Sequence, residues 1–232
     1  GKTTLLAHAL DRAVEQGFTV AVGACSEGGA ALSLAPIRAL FRSLADQDPD
    51  IEEHVDRRYP AVGALLPGPG RSITDHDLSA VFTAAMAVLA DQAVRAPLLI
   101  GVEDLHWADR STTEFLSFLL RNLDRERIAV VATSRRDEPG ADGMVARTLS
   151  ELSRLRVVDR IDLAGLGRAD LSDLLLRTVG RRLAPAVVDE LLLRTEGNPF
   201  LATELASAHA FAPGALPASV RQVTARRLDG LP

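Results

Sequence analysis

Pro97-Leu98-Leu99-Ile100-Gly101-Val102-Glu103-Asp104 reads as a buried strand that ends in two acids. A continuous apolar run of strand length suits a parallel strand, because crossover helices cover both faces of a parallel sheet. In open α/β sheets ligands bind in the crevice outside the carboxyl ends of the strands. Glu103 and Asp104 stand at such an end, followed by Leu105-His106-Trp107-Ala108-Asp109.

Working outward, similar apolar strands are predicted at Phe18 to Ala24 and Ile128 to Thr133, and a last one at Val157 to Leu163. Helical spacing fills the gaps between them. Leu5, Leu6, Ala9, Leu10, Ala13 and Val14 share one face of a first helix that Gly17 closes. Residues 31–46 repeat the pattern with Leu34, Ile37, Leu40, Phe41 and Leu44, and a long helix runs from about Asp77 to Val94. Between them, residues 47–75 are polar and rich in Pro and Gly, with short helical pieces at best. Ser111 and Glu114 have the spacing of a capping box, which predicts a helix start there with Phe115, Leu116, Leu119, Leu120 and Leu123 inward. Strands alternating with helices imply a doubly wound, parallel α/β sheet up to about residue 165. Helices alone follow, at Leu171 to Val179 and Pro185 to Thr195. Gly197-Asn198-Pro199 then combines a helix stop, an N-cap and a first-turn proline. Residues 212–217 read as a linker and Ser219 to Leu228 as a final helix.

Lys2 is the only lysine among 26 basic residues. It stands between Gly1 and Thr3-Thr4, just where the first helix opens, and Gly1-Lys2-Thr3 matches the last letters of G-x-x-x-x-G-K-[ST]. In that motif backbone N–H groups cradle phosphates, the lysine reaches the β and γ phosphates, and the hydroxyl helps hold Mg²⁺. An ammonium is a compact point charge, whereas a guanidinium is planar and bulky. Glu103 and Asp104 complement this reading. Neighbouring strand residues point to opposite faces, which lets Glu103 face the metal while Asp104 polarises a water that attacks the γ phosphate. After the next strand, Arg135, or else Arg136, could sense a γ phosphate, although an edge salt bridge suits the same place. Gly197-Asn198-Pro199-Phe200 could line an adenine pocket, or be a plain helix junction.

Composition narrows the classes. A net charge of −5 argues against direct binding to a nucleic-acid backbone. No apolar run approaches the roughly 20 residues of a membrane span, and nothing at the start resembles a secretion or transit signal. A single cysteine, Cys25, cannot build an internal disulfide framework and predicts a reducing, cytoplasmic setting. The five histidines show no metal-ligand spacing with one another or with Cys25.

Taken in order, GKTTLL, LLIGVEDLHWAD, VVATSRRDE, GNPFLATELA and LPASVRQVTARRLDGLP resemble the signal-transducing ATPases of the STAND class, within the AAA/Orc1-like ATPases. The likeness is greatest to the ATPase module of large ATP-binding LuxR-type transcriptional regulators, and to related modules attached to bacterial nucleotide cyclases and kinases. It implies a P-loop NTPase core over 1–165, a helical lid over 166–212, and a linker with the start of a winged-helix unit over 213–232. It places Gly1, Lys2, Thr3 and Thr4 in the Walker A segment, Glu103 and Asp104 in Walker B, Arg135 at the sensor position, and Gly197 and Pro199 in the nucleotide-contacting G-x-P. Thr3 and Glu103 would hold Mg²⁺. Many relatives carry two aspartates where this chain has Glu103-Asp104.

The resemblance further implies ATP and ADP as ligands, slow hydrolysis, and an unknown small-molecule or protein inducer. Self-association would accompany the ATP state, with DNA contacted only through a domain outside this chain and no membrane involved. An AAA-type ATPase that remodels a partner is the alternative. The first five residues of the phosphate-binding motif and its strand are not in the sequence, which predicts a segment cut at both ends and weak ATP binding by these 232 residues alone.

Overall fold

The computed structural model describes residues 1–27, 33–66, 78–123, 125–135, 148 and 150–207. Strand β2 (Leu98–Glu103) lies between β1 (Thr19–Ala24) and β3 (Ile128–Ala132), and both pairings are parallel. Thr19 pairs with Leu98 and Ala24 with Glu103 on one side, while Leu98 pairs with Ile128 and Val102 with Ala132 on the other. The first five residues of β2 are buried, as the unbroken apolar run requires of a strand covered on both faces.

Alternation along β2 divides its side chains between two layers. Leu98, Ile100 and Val102 enter the main core with Ile37, Leu40 and Phe41 of α2 (Ala35–Gln47), with Val88 and Leu89 of α4 (Leu78–Arg95), and with Phe115 of α5 (Arg110–Asn122). On the opposite face α1 (Lys2–Glu15) packs against β1 and β2 and buries Leu6 and Ala13. There a Cβ at Gly101 would stand 3.2 Å from Leu10 Cδ2, and the glycine lets the helix approach. Gly17 ends α1 with φ +80°, the left-handed stop expected of it. A Cβ on Gly23 would collide with the Pro36 carbonyl, because the start of α2 rests on the end of β1.

The described residues between α2 and α4 include the short α3 (Ile51–Arg58) and a 3₁₀ turn, Pro60–Leu65, whose Val55, Val62 and Leu65 are buried. By length and composition α4 could cross a bilayer. Its Val81, Ala85, Val88 and Leu89 are instead buried in the core.

Three expectations are corrected. The second helix begins at Ala35, because Leu34 takes φ 60° and Pro36 fills the first turn. The fifth helix starts two residues before the expected capping box: Asp109 is its N-cap and accepts from Thr112 N. Finally, residues 157–163 form no strand. The Val158 N–H closes a turn onto Leu155 O, and Val157, Ile161 and Leu163 are all exposed. With Asp159, Arg160 and Asp162 interrupting the apolar residues, the segment buries too little to hold a pleated conformation. Arg136, the 212–217 linker and the helix expected at 219–228 lie outside the described residues.

Lys2–Arg160 form one compact unit and a second begins at Ile161. The second holds α6 (Arg168–Val179), α7 (Pro185–Thr195) and α8 (Pro199–Ser207) around Leu171, Leu175, Val188, Leu191, Ala202 and Leu205.

Candidate functional site

Lys2, Thr3 and Thr4 form the exposed first turn of α1, where a helix favours anions. Since α1 covers the face on which Leu99 and Gly101 lie, alternation puts Glu103 on that same face of the sheet. Glu103 is half-buried at the strand's end, and its carbonyl accepts from Cys25 N at 2.9 Å.

Asp104 breaks the alternation. Its φ of 51° and ψ of 46° are left-handed, a conformation that aspartate tolerates better than most residues. The turn that follows is a 3₁₀ piece, Leu105–Trp107, closed by Trp107 N donating to Asp104 O at 2.9 Å. The carboxylate stays 41% exposed, and His106 Nδ1 lies 3.9 Å from its Oδ1 with the imidazole buried beneath. Asp104 and Asp109 both add negative potential at Cys25, whose thiol burial and these two charges push up to about 12.

Thr133 and Asp109 are two site residues not singled out from the sequence. Thr133 is buried just after β3, and its Oγ1 accepts from Asp104 N at 3.1 Å. Arg135 is exposed two residues further on. Asp109 joins two loops: Oδ1 accepts from Thr112 N at 2.9 Å and from Leu34 N at 3.4 Å, and Oδ2 accepts from Thr112 Oγ1 at 2.6 Å. A readable signal existed for Asp109, namely the D-x-x-T spacing before an apolar helical run. For Thr133 the only signal was a β-hydroxyl residue ending a strand beside the acids.

In the second unit Glu196 and Gly197 are successive left-handed residues with φ 50° and 72°. Asn198 caps α8 as its sequence suggested, Oδ1 accepting from Phe200 N at 3.1 Å and from Leu201 N at 3.3 Å. Pro199 opens that helix. Gly165, not singled out by spacing, belongs to the same junction. Leu166 N donates to Gly197 O at 2.8 Å, and a Cβ on Gly165 would collide with the Glu196 carbonyl.

Two surface hollows lie elsewhere. One is lined by Tyr59 and α4 residues such as Ser79 and Thr83, the other by Val94 and Arg125 to Arg127, and neither involves the acids or Lys2. The strand end, by contrast, sets two carboxylates side by side, the kind of polar group that fixes a ligand. Among the described residues no three His, Cys, Asp or Glu side chains gather as a metal cage. Carboxylates at a sheet edge, half-buried at Glu103 and 41% exposed at Asp104, do fit Mg²⁺, which uses one or two carboxylates and completes its shell with phosphate oxygens and water.

Neither curated proteins nor solved structures give a significant match. A family model described as AAA ATPase domain matches residues 1–131, more than half of the 232. The chain therefore belongs to the AAA ATPase domain family, which implies nucleotide binding, typically with Mg²⁺.

Proposed function

We propose that the chain is the nucleotide-binding switch module of a STAND-class regulator of the LuxR type, with slow ATP hydrolysis. The observation that carries this reading is the common face: α1, opened by Lys2 and Thr3, covers the side of β2 on which Glu103 emerges, with Asp104 in the next turn. Lys2 binds the β and γ phosphates, and Gly1 and Thr4 flank it at the helix start. Thr3 and Glu103 hold the cation. Mg²⁺, when bound, offsets the repulsion between these carboxylates and the phosphates. Asp104 orients and polarises the attacking water, and Arg135 reports whether a γ phosphate is present.

A switch of this kind must discriminate between ligand states by about 5.5 kcal/mol to move a two-state equilibrium fully. ADP would favour the resting state, while ATP with an inducer would favour self-association. Output to DNA would pass through a domain outside these residues. Turnover separates this role from partner remodelling: a switch hydrolyses far more slowly than about one ATP per second, the lower end of the usual enzyme range. The direct test is Lys2→Ala in the full-length protein, read by calorimetry with ATP. Loss of measurable binding is expected, and unchanged affinity would remove the site.

A further inference from the structure

The β2–β3 ladder changes character at the acids. Thr133 N donates to Val102 O at 2.9 Å, one regular step beyond the pairing of Val102 with Ala132. The next regular parallel bond would bring the Asp104 N–H onto the Thr133 carbonyl. That carbonyl accepts instead from Leu105 N at 2.8 Å, one residue later. Asp104 is the extra residue, left-handed at φ 51°, and its displaced N–H is taken by the Thr133 hydroxyl oxygen at 3.1 Å. Thr133 thereby makes three bonds to a four-residue span of β2 and its turn. Only a side chain with an acceptor on Cγ's place can do this, which selects Thr or Ser.

We propose that Thr133 is a positioning residue: it locks the backbone of Asp104 in the left-handed turn that aims the carboxylate, and acts on hydrolysis through Asp104 rather than by touching nucleotide. This rests on the role proposed above for Asp104. A left-handed non-glycine residue persists only where its surroundings over-determine it, and the three bonds supply that determination. Removing the hydroxyl takes the acceptor from a part-buried N–H and frees the turn to relax toward the regular ladder.

The test uses Thr133→Val and Thr133→Ser in the full-length protein, with three readouts. In T133V the Asp104 amide should exchange with deuterium about tenfold faster or more, while T133S keeps protection. In T133V kcat for ATP should fall about tenfold with the ATP Kd changed less than about twofold, and T133S should restore kcat. Unchanged exchange at Asp104 in T133V would overturn the proposal. So would a loss of ATP affinity matching the loss of kcat, since Thr133 would then contact the nucleotide, or equal damage by Ser and Val, since volume alone would then matter. If the wild-type protein binds no ATP, the functional reading fails by itself. The exchange measurement then still decides whether the hydroxyl holds the turn, and a silent result there overturns this inference separately.

Discussion

At the scale of single residues, the edge of the sheet commits each polar group to a different task. Glu103 remains on the regular strand and faces the layer of α1, whereas Asp104 is turned out of the ladder by its left-handed backbone. Cys25, just beyond β1, lies within the field of Asp104 and Asp109, and is itself buried. Burial first, and those two charges next, oppose the thiolate and raise the thiol from 9.0 to about 12. The folded chain thus favours the protonated form. This contribution to stability is complete below pH 9 and is lost as pH rises toward 12. Cys25 should therefore resist alkylation by iodoacetamide at pH 8.5 in the folded protein and react readily in guanidinium, as followed by mass spectrometry. Rapid labelling of the folded chain would mean that the acids and the apolar layer do not enclose the thiol.

At the scale of elements, Asp109 does more than end a loop. Its carboxylate satisfies the start of α5 and also reaches the N–H of Leu34, the left-handed residue that begins α2. Asp109→Ala should destabilise the α/β unit by about 1–2 kcal/mol, the usual cost of losing a helix cap. Asp109→Asn, which keeps the accepting oxygen, should cost less. Urea unfolding of both variants checks the order, and equal losses would show that charge rather than the cap is what matters. The same elements show where sequence was legible. β1 and β2 announced themselves because both faces of a parallel strand must be apolar, and α1 because its period and Gly17 agreed. The start of α5 was misplaced because Ser111 and Glu114 satisfy the capping-box spacing, whereas Asp109 caps the helix two residues earlier, where its carboxylate also accepts from Leu34 N. Residues 157–163 looked like a strand because β-branched residues recur there, yet a strand needs a partner, and pairing is a tertiary fact. Of the candidate site, Lys2, Glu103 and Asp104 were visible as types at fixed places. The hold of Thr133 on Asp104 was not, since it depends on a one-residue slip in a ladder.

At the scale of the whole molecule, the described residues form two apolar cores. The larger is built on the sheet with α2, α4 and α5, and the smaller on α6, α7 and α8. A core from three short helices holds few fully buried side chains, and units of this size are marginal without help. Its stability should therefore respond to a single truncation much more visibly than that of the sheet. Leu175 is 1% exposed at the centre of the helical core. Leu175→Ala should remove about 2–5 kcal/mol from that unit, through lost transfer energy and the cavity left behind. Since the two cores share no buried residue among those described, the change should not propagate, as distant substitutions add independently. Hydrogen exchange resolved by segment would then show α6 to α8 opening faster while the amides of β2 keep their protection. Equal acceleration in both would mean that the units unfold as one cooperative body. The Lys2→Ala variant sharpens the comparison, because an exposed first-turn residue carries no core: it should leave exchange in both units unchanged without nucleotide, and abolish only the added protection that ATP gives the sheet.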